Sequence, residues 1–155
     1  MKKVLRGFTL IELLVVIGIL AILLAITLIA INPARQFAQA NNTRERSDIL
    51  QILNAAHQFV AENKGVLPVA ISGLAVGTPT VIGGAVGQAD ICPELMGATG
   101  KYLPALPVIP SLNLPNITVC NATYSLGYTI SRDANNRITV AGSNDVNGVA
   151  ITVTR

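Results

Sequence analysis

Glu12 is the one charged side chain in an apolar run from Phe8 to Ile31, FTLIELLVVIGILAILLAITLIAI. A charge at the centre of a bilayer costs roughly 2.5–3.5 kcal/mol or more, so such residues are usually paired. The bond between Gly7 and Phe8 lies close by in the chain. Cutting it would free an amino group on Phe8, near Glu12 in sequence, and a neighbouring copy could offer the same amine to Glu12. In a low dielectric that pairing is strong and sets the axial register of the two copies. The same residues also allow a second reading, in which Glu12 reaches the interface and pairs with nothing.

The other residues able to do chemistry are few. Cys92 and Cys120 form an even pair, and an exported domain would oxidise them to a disulfide. Closing that loop stabilises a small head by ~3–4 kcal/mol. The alternative is two buried thiols. Asn144, Asp145 and Asn147 place oxygen atoms beside a glycine turn. Asp145 is the sole carboxylate there and hard cations want more, so we expect a polar hairpin and no metal. His57 has no nucleophile arrangement beside it and reads as a surface or packing residue. Asn116-Ile117-Thr118 and Asn121-Ala122-Thr123 match the short acceptor pattern for N-linked sugars. There is no phosphate loop and no paired acid and base. We expect no enzyme activity, no catalytic residue and no cofactor.

These residues sit in a chain of 155 residues, half of it hydrophobic and 12% charged, which is greasy for a soluble protein. Residues 1–7, MKKVLRG, are a basic leader. Three of the eleven Lys and Arg lie there, and without them eight remain against eight Asp and Glu. The net charge of +3 thus belongs to the leader, and nucleic-acid binding is not expected. As a helix, residues 8–31 span about 36 Å at 1.5 Å per residue. That crosses a hydrocarbon core of ~30 Å. The cations before it predict a cytoplasmic N-terminus and an exported C-terminus. An ordinary signal peptide cut after Ala40 fits less well. The apolar run exceeds the usual 7–15 residues, and Pro33, Arg35 and Gln36 separate it from Ala38-Gln39-Ala40.

Residues 34–64 read as an amphipathic helix. Phe37 and Ala40, then Ile49, Ile52, Leu53, Ala56, Phe59 and Val60 recur at helical spacing, while Arg44, Glu45, Arg46, Asp48, Gln51 and Asn54 fill other positions. Asn63-Lys64-Gly65 is a stop. We expect one long helix with a kink at Pro33. Residues 8–33 form its membrane half. Residues 65–155 form a globular head. Its first part, 66–121, reads as a long irregular connection with a short helix near Pro93 to Met96. Tyr124 to Arg132, Arg137 to Ala141 and Val149 to Thr154 then read as a three-stranded antiparallel meander, joined at Asp133-Ala134-Asn135-Asn136 and at Asn147-Gly148. Ile138, Val140, Val149, Ile151 and Val153 supply its buried face. The fold class is α+β.

The stretch Arg6-Gly7-Phe8-Thr9-Leu10-Ile11-Glu12-Leu13-Leu14-Val15-Val16 resembles the N-terminal signature of type IV prepilins and of the pseudopilins of type II secretion. The match is strong over roughly residues 1–35. The resemblance implies a type IV pilin-like fold, a long N-terminal helix packed on a small antiparallel sheet. It implies cleavage between Gly7 and Phe8 by a membrane-embedded prepilin peptidase, methylation of the new Phe8 amine, and docking of subunits guided by Glu12. The apolar helices would then bundle in a filament core. Two features depart from common pilins. Pro33 lies further along than the usual helix-breaking proline, with Gly18 as another weak point, and the cysteines are not near the C-terminus.

The expected function is a structural subunit of a type IV pilus-like filament. The precursor would sit in the inner membrane, meet the peptidase and the inner-membrane assembly machinery, and finish as a homo-oligomeric helical filament at the cell surface. A pseudopilin of a secretion system is the alternative within the family. A membrane-anchored binding module is the alternative outside it.

Overall fold

Leu, Ile, Val and Ala occupy nearly every position from Leu10 to Ile31, and each can close its own backbone hydrogen bonds in a helix. In the computed structural model, which describes residues 7–97, 101–145 and 147–155, this run is helix α1, Leu10–Ile31. None of its residues is buried. Helix α2 follows at Pro33–Glu62. The break between them falls on Asn32, one residue before the expected kink. Its φ is 44°, a left-handed conformation that asparagine tolerates better than most residues. Pro33 is the first residue of α2, where its missing N–H costs nothing. The chain divides into two compact units, with the boundary between Phe37 and Ala38.

The second unit contains most of α2, two short helices and one sheet. Helix α3 is Val69–Ser72 and α4 is Cys92–Leu95. The strands are β1 Thr80–Gly83, β2 Ser125–Arg132, β3 Ile138–Asn144 and β4 Ala150–Thr154. They form one antiparallel sheet in the order β1-β2-β3-β4. The expected meander is therefore β2-β3-β4, and β1 corrects it to four strands. β1 is short and pairs Thr80 with Ile130. Local periodicity in a stretch rich in Gly and Pro carries no trace of such a distant partner. Val149, expected on the buried face, is 61% exposed. It lies in the turn before β4, where its N–H donates to Asp145 Oδ1 at 2.9 Å.

α2 packs on the sheet through Ile49, Ile52, Leu53, Ala55 and Ala56, against Leu126, Tyr128, Ile130, Ile138 and Val140. It ends as expected at Asn63-Lys64-Gly65. Gly65, at φ 88°, donates to the Val60 carbonyl at 2.9 Å, and Asn63 Nδ2 donates to the Phe59 carbonyl at 2.8 Å. Glu45 and Asp48 differ from expectation. They read as outward polar positions, yet only 2% and 6% of their surface is exposed. β3 holds one extra residue between Ala141 and Asn144, so the ladder slips there. That bulge turns the Ser143 N–H away from β4, and Glu45 Oε2 accepts it at 3.1 Å. Ser143 Oγ lies 2.8 Å from both Glu45 carboxylate oxygens. A Cβ on Gly142 would stand 2.7 Å from Glu45 Oε2, so a side chain there would push the carboxylate from its place against Ser143. The Tyr128 hydroxyl, on β2, donates to Asp48 Oδ2 at 2.9 Å.

The Cys92–Cys120 disulfide is present and ties α4 to the segment before β2. α4 also carries Glu94, whose carboxylate accepts the N–H groups of Val69 and Ala70 at 2.9 and 3.3 Å and so caps α3. Tyr124 donates to Asp90 Oδ1 at 2.7 Å, and the Cys92 N–H donates to the Tyr124 oxygen at 3.3 Å. One covalent bond and two polar bridges thus hold a region that is otherwise short of regular structure.

Two consequences can be measured on the full chain in detergent. Replacing both Cys92 and Cys120 with serine should lower the unfolding free energy of the head by about 3 kcal/mol, the loop-entropy scale for such a bridge. Denaturant titration checks this. Burial pushes the Asp48 carboxyl above its ordinary range, against the Tyr128 hydrogen bond, which lowers it. Nearby Arg44 also lowers it and Glu45 raises it. A folded-state value above the unfolded one means the folded head binds the extra proton. The Asp48 contribution is therefore favourable at low pH and is lost as pH rises through the raised value. Compared with Asp48→Asn, the parent chain should lose thermal stability over that window. A difference between the two that stays flat with pH would show that burial is not the dominant effect on Asp48.

Candidate functional site

Thr9 marks where the chain enters α1. Its φ and ψ are extended and the helix starts at the next residue. Its hydroxyl oxygen accepts the Glu12 N–H at 3.3 Å. Glu12 reaches back, and its Oε2 accepts both the Thr9 N–H at 2.8 Å and the Thr9 hydroxyl at 2.7 Å. This is a capping box, in which two orphan donors at a helix start are satisfied reciprocally. Thr9 is a functional residue that the charge of Glu12 alone does not reveal. The signal was present, since threonine followed three residues later by glutamate before an apolar run is the pattern of a capped start.

Only one carboxylate oxygen is used in the box. Among the described residues, Oε1 of Glu12 accepts no hydrogen bond. Gly7 and Phe8 precede the helix and are not helical. Phe8 is 86% exposed, and among the described residues a Cβ on Gly7 would meet nothing within 4 Å. The junction between them is therefore open backbone, as a peptide bond must be to enter a protease. Met1 to Arg6, the rest of the expected leader, lie outside the described residues.

The helix behind this segment is about 33 Å long by its 22 residues at 1.5 Å each. Among the described residues it is the one helix long and apolar enough to cross a membrane. Thr27, its one hydroxyl, donates to the Leu24 carbonyl at 2.9 Å and presents no free donor. Every other side chain from Leu13 to Ile31 is hydrocarbon or glycine.

Residues 3–28 match the prokaryotic N-terminal methylation motif. This is the prepilin-type signature, and it covers Gly7, Phe8, Thr9, Glu12 and most of α1. Neither the curated proteins nor the solved structures gave a match to the chain.

The remaining candidates lie in the second unit. The Asp145 Oδ1 accepts the Asn147 and Val149 N–H groups at 2.8 and 2.9 Å, which makes it the cap of a hairpin turn. The side chain of Asn144 lies outside the described residues. Asp145 and Glu45 line a cleft of about 280 Å³ with Ser111 and Ser143. No group of three or more His, Cys, Asp or Glu among the described residues could hold a metal ion. His57 sits on α2 half-buried, its Nε2 buried without a hydrogen-bond partner.

The capping box makes a specific demand on Thr9. Thr9→Ala deletes both hydroxyl bonds and should cost the first turn about 1 kcal/mol. Amide exchange at Leu10 to Leu13, measured on the full chain in detergent, should speed up several-fold. Thr9→Ser keeps the hydroxyl and should exchange like the parent.

Proposed function

We propose that the chain is the precursor of a structural subunit of a type IV pilus-like filament. The observation that carries this reading is the methylation motif over residues 3–28 on a helix whose apolar surface is entirely exposed. Before assembly that surface is covered by the inner membrane. Afterwards it is covered by the same helix of other copies in the filament core. The head stays on the exported side throughout, consistent with its disulfide.

On this reading each residue of the segment has one task. Gly7 and Phe8 present the bond that the prepilin peptidase cuts, and the freed Phe8 amine is then methylated. The small side chain of Gly7 matters to the peptidase and not to this chain's own packing, which leaves open space there. Glu12 keeps Oε2 on its own Thr9 and offers Oε1 to the cationic amine of a neighbouring copy. The pairing is charge-assisted and lies in a low dielectric, so it is strong and directional. It fixes how far one helix slides along the next, which apolar packing alone does poorly. Pro33 and Asn32 give the helix its break between the core-forming and head-forming parts.

The test separates processing from assembly. Subunits recovered from cells should lack residues 1–7 and carry a methyl group on Phe8, as read by intact mass. Gly7→Leu should block the cut. Glu12→Ala should be cut normally, yet yield at least ten-fold fewer sheared filaments at matched membrane levels. Glu12→Gln should be nearly as poor, because it keeps the shape and loses the charge. A mature chain that still begins at Met1 would overturn the reading. Normal filament yield from Glu12→Ala would remove the docking role while leaving the processing role intact.

A further inference from the structure

Two N-x-T patterns occur close together just before β2, and the fold treats them differently. In the first, Asn116 Oδ1 accepts the Val108 N–H at 3.4 Å, and Ile117 is held by paired backbone bonds to Leu106 at 2.8 and 2.9 Å. In the second, Asn121, Ala122 and Thr123 are all exposed, and they follow directly on Cys120 of the disulfide. Asn121 Oδ1 accepts both the Thr123 N–H at 2.9 Å and the Thr123 hydroxyl at 3.0 Å. This Asx turn places the amide oxygen against two donors, and among the described residues Asn121 Nδ2 has no protein partner. A side-chain amide is a poor nucleophile. An N-x-T pattern on an exposed loop of an exported chain is what a sugar transferase reads, and here the Thr123 hydroxyl is held beside the Asn121 amide.

We propose that Asn121 is the acceptor of an N-linked sugar. The inference rests on the exported position of the head in the proposed function. The donor is a sugar activated at its anomeric carbon as a lipid-linked diphosphate, and the catalyst is a membrane transferase acting on the exported side. The bond formed joins Asn121 Nδ2 to the anomeric carbon. The bond broken joins that carbon to the phosphate oxygen, and the diphosphate leaves with the electron pair. Nδ2 gives up one proton, and nothing is oxidised or reduced. Placed here, the sugar stands on a surface loop and buries no polar group. The Cys92–Cys120 bridge holds the turn in place beneath it.

The test uses the full chain recovered from the cells that make it, digested and analysed by mass spectrometry. The expected result is a sugar-bearing peptide containing Asn121, whose enzymatic release converts Asn121 to aspartate. Thr123→Val should abolish that peptide although Asn121 remains, and Thr123→Ser should restore it. Asn116→Gln should leave it unchanged. The Cys92–Cys120 cross-linked peptide from the same digest reports that each variant has folded. Bare Asn121, or a sugar that persists in Thr123→Val, overturns the inference. The intact mass of the same sample reads the N-terminus. Bare Asn121 on a chain cut after Gly7 therefore sinks this inference alone, and an uncut chain sinks the proposed function separately.

Discussion

A helix with no interior side constrains everything else in this protein. α1 buries none of its 22 residues against its own chain. Fully burying one Leu or Ile side chain is worth roughly 1.5–3 kcal/mol, so leaving this many in water is not a sustainable state for an isolated subunit. Some apolar medium must cover α1 at every stage. Lipid and other copies of the same helix are equally good solvents for hydrocarbon, and that near-equality makes a transfer between them feasible. It also means that apolar burial cannot decide which of the two holds the helix. On the proposed reading the decision falls to the polar groups, and from Leu10 to Ile31 Glu12 is the sole charge.

The head faces the opposite problem. Its core is small, and the helix that closes it brings two carboxylates into the interface. Leaving either unpaired would cost about 1–3 kcal/mol or more. The fold answers with local irregularity. A bulge in β3 releases one N–H for Glu45, and a buried tyrosine on β2 serves Asp48. These bonds are directional where hydrophobic contact is not. They fix both the rotation and the height of α2 on the sheet, because Glu45 and Asp48 lie nearly one turn apart and address different strands. Gly142 completes the arrangement by leaving room for the Glu45 carboxylate beside Ser143.

Legibility in the sequence followed the range of the interactions. The membrane-length run, the stop at Gly65 and the strands β2 to β4 were readable because their signals are contiguous. The inward stripe of α2 was readable from Ile49 onward, whereas Phe37 and Ala40, read as part of it, are exposed. Glu45 and Asp48 were placed on the wrong face, because a pattern sorts residues by polarity and their partners lie 98 and 80 positions away. β1 was lost for the same reason. Its four residues have no alternation to detect and gain their identity from β2. The disulfide was readable as a pairing because there were only two cysteines. Its role in anchoring α4 and the Glu94 cap was not. Thr9 is a different case, since its signal is local, a threonine three residues before a glutamate at the start of an apolar run.

On the proposed reading, that geometry lets one carboxylate serve two stages. A glutamate with no internal partner would be hard to hold in a membrane, and one fully satisfied inside its own chain would have nothing to offer a neighbour. The capping box lies between these extremes. Oε2 takes two donors from Thr9, which lowers the cost of keeping the carboxylate at the edge of an apolar segment. Oε1 keeps its lone pairs, and a carboxylate can accept several hydrogen bonds at once. Docking on the proposed reading then adds a partner without first breaking the cap. The helix start stays formed throughout, so an incoming amine meets an oxygen already fixed in position. Its binding costs little further ordering, which is how a single ionic contact can set register among helices that otherwise present only hydrocarbon.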